Sequence, residues 1–198
     1  MKIIDISQEI LSCRVYEGDP VPQGERIADM KKGGTYNLST LSMCAHNGTH
    51  VDAPLHFYED GKSVDQMSLE HFVGECFVAE ASGSIGSQEA YQILEKANAL
   101  KAQKRILIKG EAVVTEEAAQ IFADAEVLLV GVESQSVGPE KAPMRVHKIL
   151  LGKNVALLEG LVLENAREGR YLLNAAPLNI RGFEGSPCRA ILIEEYHG

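Results

Sequence analysis

Three short apolar runs constrain this chain more than any other feature: Arg105-Ile106-Leu107-Ile108-Lys109, Val127 to Val132 and Val155-Ala156-Leu157-Leu158. Each has the length of a strand and is rich in branched residues, as buried strands are. Between and before them lie segments with helical signals. Ser87 to Leu100 has helical propensity with Ser87 as its cap, Thr115-Glu116-Glu117 opens a helix to Phe122 with acids placed for the dipole, and Met144 to Leu151 is a short helix. Strands interleaved with helices predict an α/β domain. Ile3 to Ile6, Tyr36 to Ala45, Cys76 to Ala81, Arg170 to Ala175 and Cys188 to Glu194 add further strands. That is more than a simple alternating doubly wound fold needs, so a mixed sheet or distorted barrel is expected. Residues 12–35, with Gly18, Pro20, Pro22, Gly24, Gly33 and Gly34, read as one long irregular loop of the functional or lid type. No repeat, linker or low-complexity tract divides the chain, and 198 residues make one sizeable domain, 1–198.

Composition excludes several functions. A net charge of −9 with no basic face argues against nucleic acid and anionic membranes as partners. The apolar stretch Val127 to Val130 is far too short to span a bilayer, and the N-terminus has no signal-peptide pattern. Cys13, Cys44, Cys76 and Cys188 lie far apart without a Cys-x-x-Cys, which reads as reduced thiols in a cytoplasmic protein. Neither a dinucleotide or phosphate-loop glycine pattern nor a Gly-x-Ser-x-Gly elbow is present.

The chemistry concentrates in His46-Asn47-Gly48-Thr49-His50-Val51-Asp52-Ala53-Pro54-Leu55-His56, which holds half of the six histidines. Imidazole and carboxylate together are the ligand set of Zn²⁺, Mn²⁺ and Fe²⁺. Gly48, Pro54 and the β-branched Thr49 and Val51 weigh against a helix. On a strand, His50 and Asp52 would share a face, and a turn at Gly48 would bring His46 back to it. Pro54 would end the strand, leaving His56 on the following loop. A structural zinc site would be closed and cysteine-rich, whereas these candidates include no cysteine, so an open catalytic site is expected. A thiol mechanism through Cys44 would leave His50, Asp52 and His56 unexplained. His147 and Glu159, the latter at a strand end, are the candidates for a second half of the site. Residue chemistry alone does not separate Glu159 from Glu164, nor decide whether His56 also binds metal.

The segment His46-x-Gly48-Thr49-His50-x-Asp52-x-Pro54-x-His56 resembles the signature of the cyclase-like metal-dependent hydrolases, the family of bacterial kynurenine formamidase (arylformamidase) and isatin hydrolase. The resemblance continues through Asp60-Gly61-Lys62-Ser63-Val64, Gly131 to Val137, His147 with Leu158-Glu159-Gly160-Leu161, Pro177-Leu178 and Gly185-Ser186-Pro187-Cys188-Arg189-Ala190. It implies a single domain with a mixed, barrel-like sheet flanked by helices, the swivelling β/β/α fold of that family. It implies His46, His50 and Asp52 on one metal and His147 on a second, with Asp52 and Glu159 bridging and His56 as proton donor and acceptor. Two zinc ions per subunit are implied, with manganese the alternative, and homodimers or homotetramers. The implied reaction is hydrolysis of the C–N bond of a small amide, most like N-formylkynurenine to kynurenine and formate. Hydrolysis or cyclisation of a cyclic, isatin-like amide is the alternative, and a non-catalytic metal- or small-molecule-binding protein is the reading from another class. His56 favours the enzyme, because a pure binding site needs no spare base. Two positions depart from the family pattern and are expected at the substrate. Tyr16 stands near the place of a substrate-contacting tryptophan, in a chain with no Trp, and Glu133 stands where an aspartate is usual.

Overall fold

A computed structural model describes residues 1–139 and 142–194. In chain order the strands and helices are β1 (Lys2–Asp5), β2 (Gln23–Ala28), β3 (Leu38–Ser42), β4 (His50–Asp52), β5 (Val73–Glu80), β6 (Gly83–Ile85), α1 (Ser87–Ala99), β7 (Arg105–Lys109), β8 (Ala112–Val114), α2 (Glu116–Asp124), β9 (Leu129–Val132), α3 (Met144–Gly152), β10 (Ala156–Glu159), β11 (Gly169–Asn174), β12 (Gly185–Pro187) and β13 (Ile191–Glu194). Nine of the strands form one curled, mixed sheet in the order β1-β13-β11-β5-β7-β9-β10-β4-β12. The expected α/β class and barrel-like mixed sheet are therefore present.

The centre of the sheet, β5-β7-β9-β10, is parallel. Each parallel step needs a crossover, and α1, α2 and α3 supply the three. The helices pack side by side and carry their apolar residues onto one face of the sheet. Strand parity divides the core. Phe77, Ala79, Ile106, Ile108, Val130, Val132 and Leu157 face the helices, while Val78, Leu107, Leu129, Ala156 and Leu158 face a second core beneath the curl. That core is completed by Ile4, Val51, Phe72, Leu173 and Leu192 from the antiparallel flanks and loops. A strand buried on both faces has no polar side to show, which explains the continuous apolar runs.

Several expectations need correction. Residues 12–35 are not one loop, because β2 lies within them and pairs antiparallel with β3 in a separate two-stranded sheet. β2 reads Gln-Gly-Glu-Arg-Ile-Ala and is exposed along nearly its whole length, so it carries no burial pattern. β3 does not run into the histidine segment. It stops at Ser42, and a turn intervenes in which the Asn47 N–H donates to the Cys44 carbonyl at 3.2 Å and Asn47 Oδ1 accepts from the Cys44 N–H. The cap of α1 is Gly86 rather than Ser87, and the Glu89 carboxylate reaches back to accept from the Gly86 N–H at 3.0 Å. The three-residue strands β6, β8 and β12 are too short to leave a period in the sequence. Among the described residues no helix is long and apolar enough to cross a membrane. All four cysteines are unpaired, and burial pushes the Cys76 and Cys188 thiols up to about 12.

Candidate metal centre

The site forms where β4 lies between β10 and β12. Asp52 pairs with Leu157 on one side and Gly185 on the other, and His50 pairs with Glu159 and Pro187. Val51 points into the lower core, so His50 and Asp52 point to the opposite face, toward α3. On β10 the same parity takes Leu158 down and turns Glu159 up beside them. α3 delivers His147 to the same place. Gly48 has φ +65°, the left-handed turn that folds the chain before β4 and sets His46 beside Asp52. Thr49 ties this turn to the end of β10, its Oγ1 donating to the Gly160 carbonyl at 2.6 Å. Gly160 is itself left-handed, φ +69°, and a Cβ there would lie 2.3 Å from the Gly48 carbonyl oxygen.

Asp52 is the centre of the cluster. Its Oδ1 lies 2.8 Å from His46 Nδ1 and 3.5 Å from His50 Nε2, and its Oδ2 lies 3.8 Å from His147 Nε2. Glu159 spans the other pair, 3.4 Å from His50 Nε2 and 3.2 Å from His147 Nε2. Backbone carbonyls fix two of the three imidazoles. His50 Nδ1 donates to the Gly48 carbonyl at 3.0 Å, and His147 Nδ1 donates to the Pro143 carbonyl at 2.9 Å. A carbonyl only accepts, so both Nε2 atoms are left to face the carboxylates, the usual preparation of a metal-binding histidine.

Burial opposes a charge on His46, but the hydrogen bond and charge of Asp52, aided by Glu184 and Glu159, lift its pKa to about 9. Burial likewise opposes charge on His147, and the contact with Glu159 outweighs it, again to about 9. His50 is raised against full burial by Glu159 and Asp52. Asp52 and Glu159, both buried, are nevertheless held below the usual carboxylate range by these histidines. Without a metal, then, protons bind the carboxylates to the imidazoles.

The residues fit a divalent metal. Two groups, His46/His50/Asp52 and Asp52/His147/Glu159, each bring three ligand atoms within 4.8 Å of one another and share Asp52. Asp52 Oδ2 is buried without a hydrogen-bond partner. A carboxylate oxygen left in that state is costly unless a cation completes it. The five proposed ligands thus converge, and Glu164 stays outside, an exposed residue whose carboxylate meets Asn165.

His56 lies in the 3₁₀ turn Pro54–His56. Its ring is 4.3 Å from that of His46 at 33° and 6.2 Å from that of His147, with Phe57 edge-on at 4.6 Å. Burial lowers its pKa, as do the neighbouring His46 and His147, partly offset by Asp52 and Glu159. The two expected substrate residues are not brought to the cluster in the same way. Tyr16 sits in a turn closed by the Asp19 N–H, is 36% exposed, and makes no ring contact with the histidines among the described residues. Glu133 has another task. Its two oxygens accept from the Gly110 N–H and the Leu163 N–H, each at 2.7 Å, fastening the loops that follow β7 and β10. Glu184 was not singled out in the sequence, yet its Oε1 stands 3.3 Å from His46 Nε2. The one signal available was an acid directly before Gly185-Ser186-Pro187.

Residues 4–139 match the sequence model of the Cyclase family, described as "Putative cyclase". The chain belongs to this family. It is 34% identical over 207 residues to a kynurenine formamidase of Erythrobacter litoralis (strain HTCC2594), covering 98% of this chain and 94% of that protein. It is also 34% identical to a kynurenine formamidase of Salinibacter ruber (strain DSM 13855 / M31), with 97% of both chains covered. Among solved structures it is similar to "Potential Metal-Dependent Hydrolase With Cyclase Activity", with a TM-score of 0.79, 28% identity and 96% of each chain covered. The isatin hydrolase A of Labrenzia aggregata shares the fold, with a TM-score of 0.86 at 20% identity over 98% of this chain and 94% of that one.

Proposed function

We propose that this chain is a metal-dependent amidohydrolase cleaving the C–N bond of a small amide, with N-formylkynurenine as the first substrate to test. The observation that carries it is the buried His46/His50/Asp52/His147/Glu159 cluster with an uncommitted histidine, His56, at ring-contact distance. The kynurenine formamidases among its near full-length relatives support the substrate class.

A bound divalent metal, in our reading two zinc ions with manganese the alternative, would lower the pKa of water from about 15.7 toward about 7 and would polarise the substrate carbonyl. His46, His50 and Asp52 would hold one ion and His147 the other, with Asp52 and Glu159 shared. The remaining work falls to His56. Burial and the neighbouring histidines lower its pKa, which favours the neutral ring that would take the proton of the attacking water and return it to the leaving nitrogen. Phe57 contacts both rings, 4.6 Å from His56 and 5.0 Å from His147.

The absence of Trp favours a second reading, a cyclic isatin-like amide, because no indole is available to stack on the aryl group of a formylkynurenine. A homodimer or homotetramer is supported by the exposed apolar residues of the β2–β3 hairpin, Ile27, Leu38 and Leu41. The four unpaired cysteines support a cytoplasmic location.

Metal analysis of the purified chain, with assays on N-formylkynurenine, aryl amides and isatin, tests the proposal. Two equivalents of zinc and formamide turnover are expected. Isatin turnover alone would move the substrate to the cyclic amides. Absence of metal and of any activity after adding zinc or manganese would overturn the enzyme reading.

A further inference from the structure

His46 is oriented differently from the other two histidines of the cluster. His50 and His147 each give Nδ1–H to a backbone carbonyl. Among the described residues, His46 has no such carbonyl. Its Nδ1 faces Asp52 Oδ1 at 2.8 Å, and its Nε2 faces Glu184 Oε1 at 3.3 Å. The ring is otherwise held by shape. It lies against Gly185, where a Cβ would come within 2.6 Å of His46 Cε1, and the His56 ring stands 4.3 Å away. Flat contacts of this kind fix the plane of a ring but not which nitrogen points inward.

Building on the metal-centre reading above, we infer that Glu184 is a positioning residue: its carboxylate accepts Nε2–H of His46 and so reserves Nδ1 for the metal beside Asp52. The geometry supports this in three ways. The nitrogen facing Glu184 is the one away from Asp52. Asp52 Oδ1 is the oxygen that His46 shares with His50, so Nδ1 is the atom that belongs to the ligand set. Glu184 is also fixed by its own backbone, its carbonyl accepting from the Ala53 N–H at 2.8 Å, which locks the acid in register with β4. One element, β12 with the residue before it, thus sets both the plane of His46, through Gly185, and its tautomer, through Glu184. A carboxylate behind a metal-binding imidazole also makes the ring a stronger donor, and removing such a partner typically weakens metal binding by roughly 10–100-fold.

The test compares the wild type with Glu184→Ala and Glu184→Gln, each stripped by a chelator and titrated with Zn²⁺ against a chromogenic competitor. Glu184→Ala should weaken affinity roughly 10–100-fold while the metal-free protein stays folded by circular dichroism. Glu184→Gln keeps an acceptor without charge and should recover part of the loss. The visible bands of the Co²⁺-loaded protein should shift in Glu184→Ala, which a merely structural role would not cause. Unchanged affinity and an unchanged cobalt spectrum in both variants would overturn the role. Loss of a whole equivalent of metal in both would also overturn it, by making Glu184 a ligand. If Glu184→Ala does not fold, Glu184→Gln decides. A wild type that binds no Zn²⁺, Mn²⁺ or Co²⁺ would instead fail the metal-centre reading itself.

Discussion

Among the described residues, His56 makes no hydrogen bond or ion pair with Asp52 or Glu159, unlike His46, His50 and His147. Among the described residues its contacts with the cluster are between rings, tilted against His46 and edge-on to His147. A residue so placed can be removed without taking a ligand away. His56→Ala should therefore lower kcat by roughly 10²–10⁴-fold, the usual contribution of a general base, while zinc content by elemental analysis stays near the wild-type value. Loss of metal in that variant would make His56 a ligand and remove its proton-transfer role. The histidine segment was legible at this scale because strand parity and one glycine turn suffice to place His46, His50 and Asp52. The backbone role of Glu133 was not legible, for the converse reason. An acid whose oxygens cap the backbone N–H groups of two distant loops looks, in sequence, like any other acid near a motif.

At the scale of elements, α2 illustrates how local signals and site geometry separate. Thr115 Oγ1 accepts from the Ala118 N–H, and Ala118, Ala119, Phe122 and Ala123 are buried against the sheet and neighbouring helices. Thr115→Ala should cost about 1 kcal/mol in chemical denaturation, the common value of an N-cap. Metal content should not change, because α2 packs on α3 but gives no ligand. An altered metal content would show that the helical layer transmits strain to His147. β7 was legible to the residue, Arg105–Lys109, since a strand buried on both faces shows itself as an unbroken apolar run. β2 was not, since an exposed hairpin strand gains its hydrogen bonds from β3 and owes nothing to burial.

For the whole molecule, the buried charge cluster couples stability to pH and to metal. In the metal-free protein His46 and His147 have pKa values of about 9, against an ordinary 6.5. A raised folded-state pKa stabilises fully below the unfolded value and fades as pH rises through the folded one. The metal-free melting temperature should thus fall between pH 6.5 and about 9. On the acid side Asp52 and Glu159 are depressed below 3.8 and 4.5, so their contribution is lost only as pH drops beneath those values. Metal binding must displace the imidazole protons and should strengthen over the same rise in pH. Scanning calorimetry of stripped and zinc-loaded protein from pH 5 to 9.5 checks both slopes, and a metal-free melting temperature flat between pH 6.5 and 9 would show that the histidines are neutral in the folded chain.

The sequence by itself determined the α/β class and the local run from His46 to His56 that supplies His46, His50 and Asp52. Those follow from apolar periodicity and from a local run of chemistry whose spacing is fixed by covalent geometry. Residue chemistry left Glu159 and Glu164 open where the family resemblance chose Glu159, and the tertiary structure gives the reason, because Glu159 ends β10 facing α3. The tertiary structure alone placed Glu184 behind His46, a contact across 138 positions made by pairing β12 with β4. Long-range pairings of that kind are set by the closure of the whole sheet, and no local stretch of chain contains them.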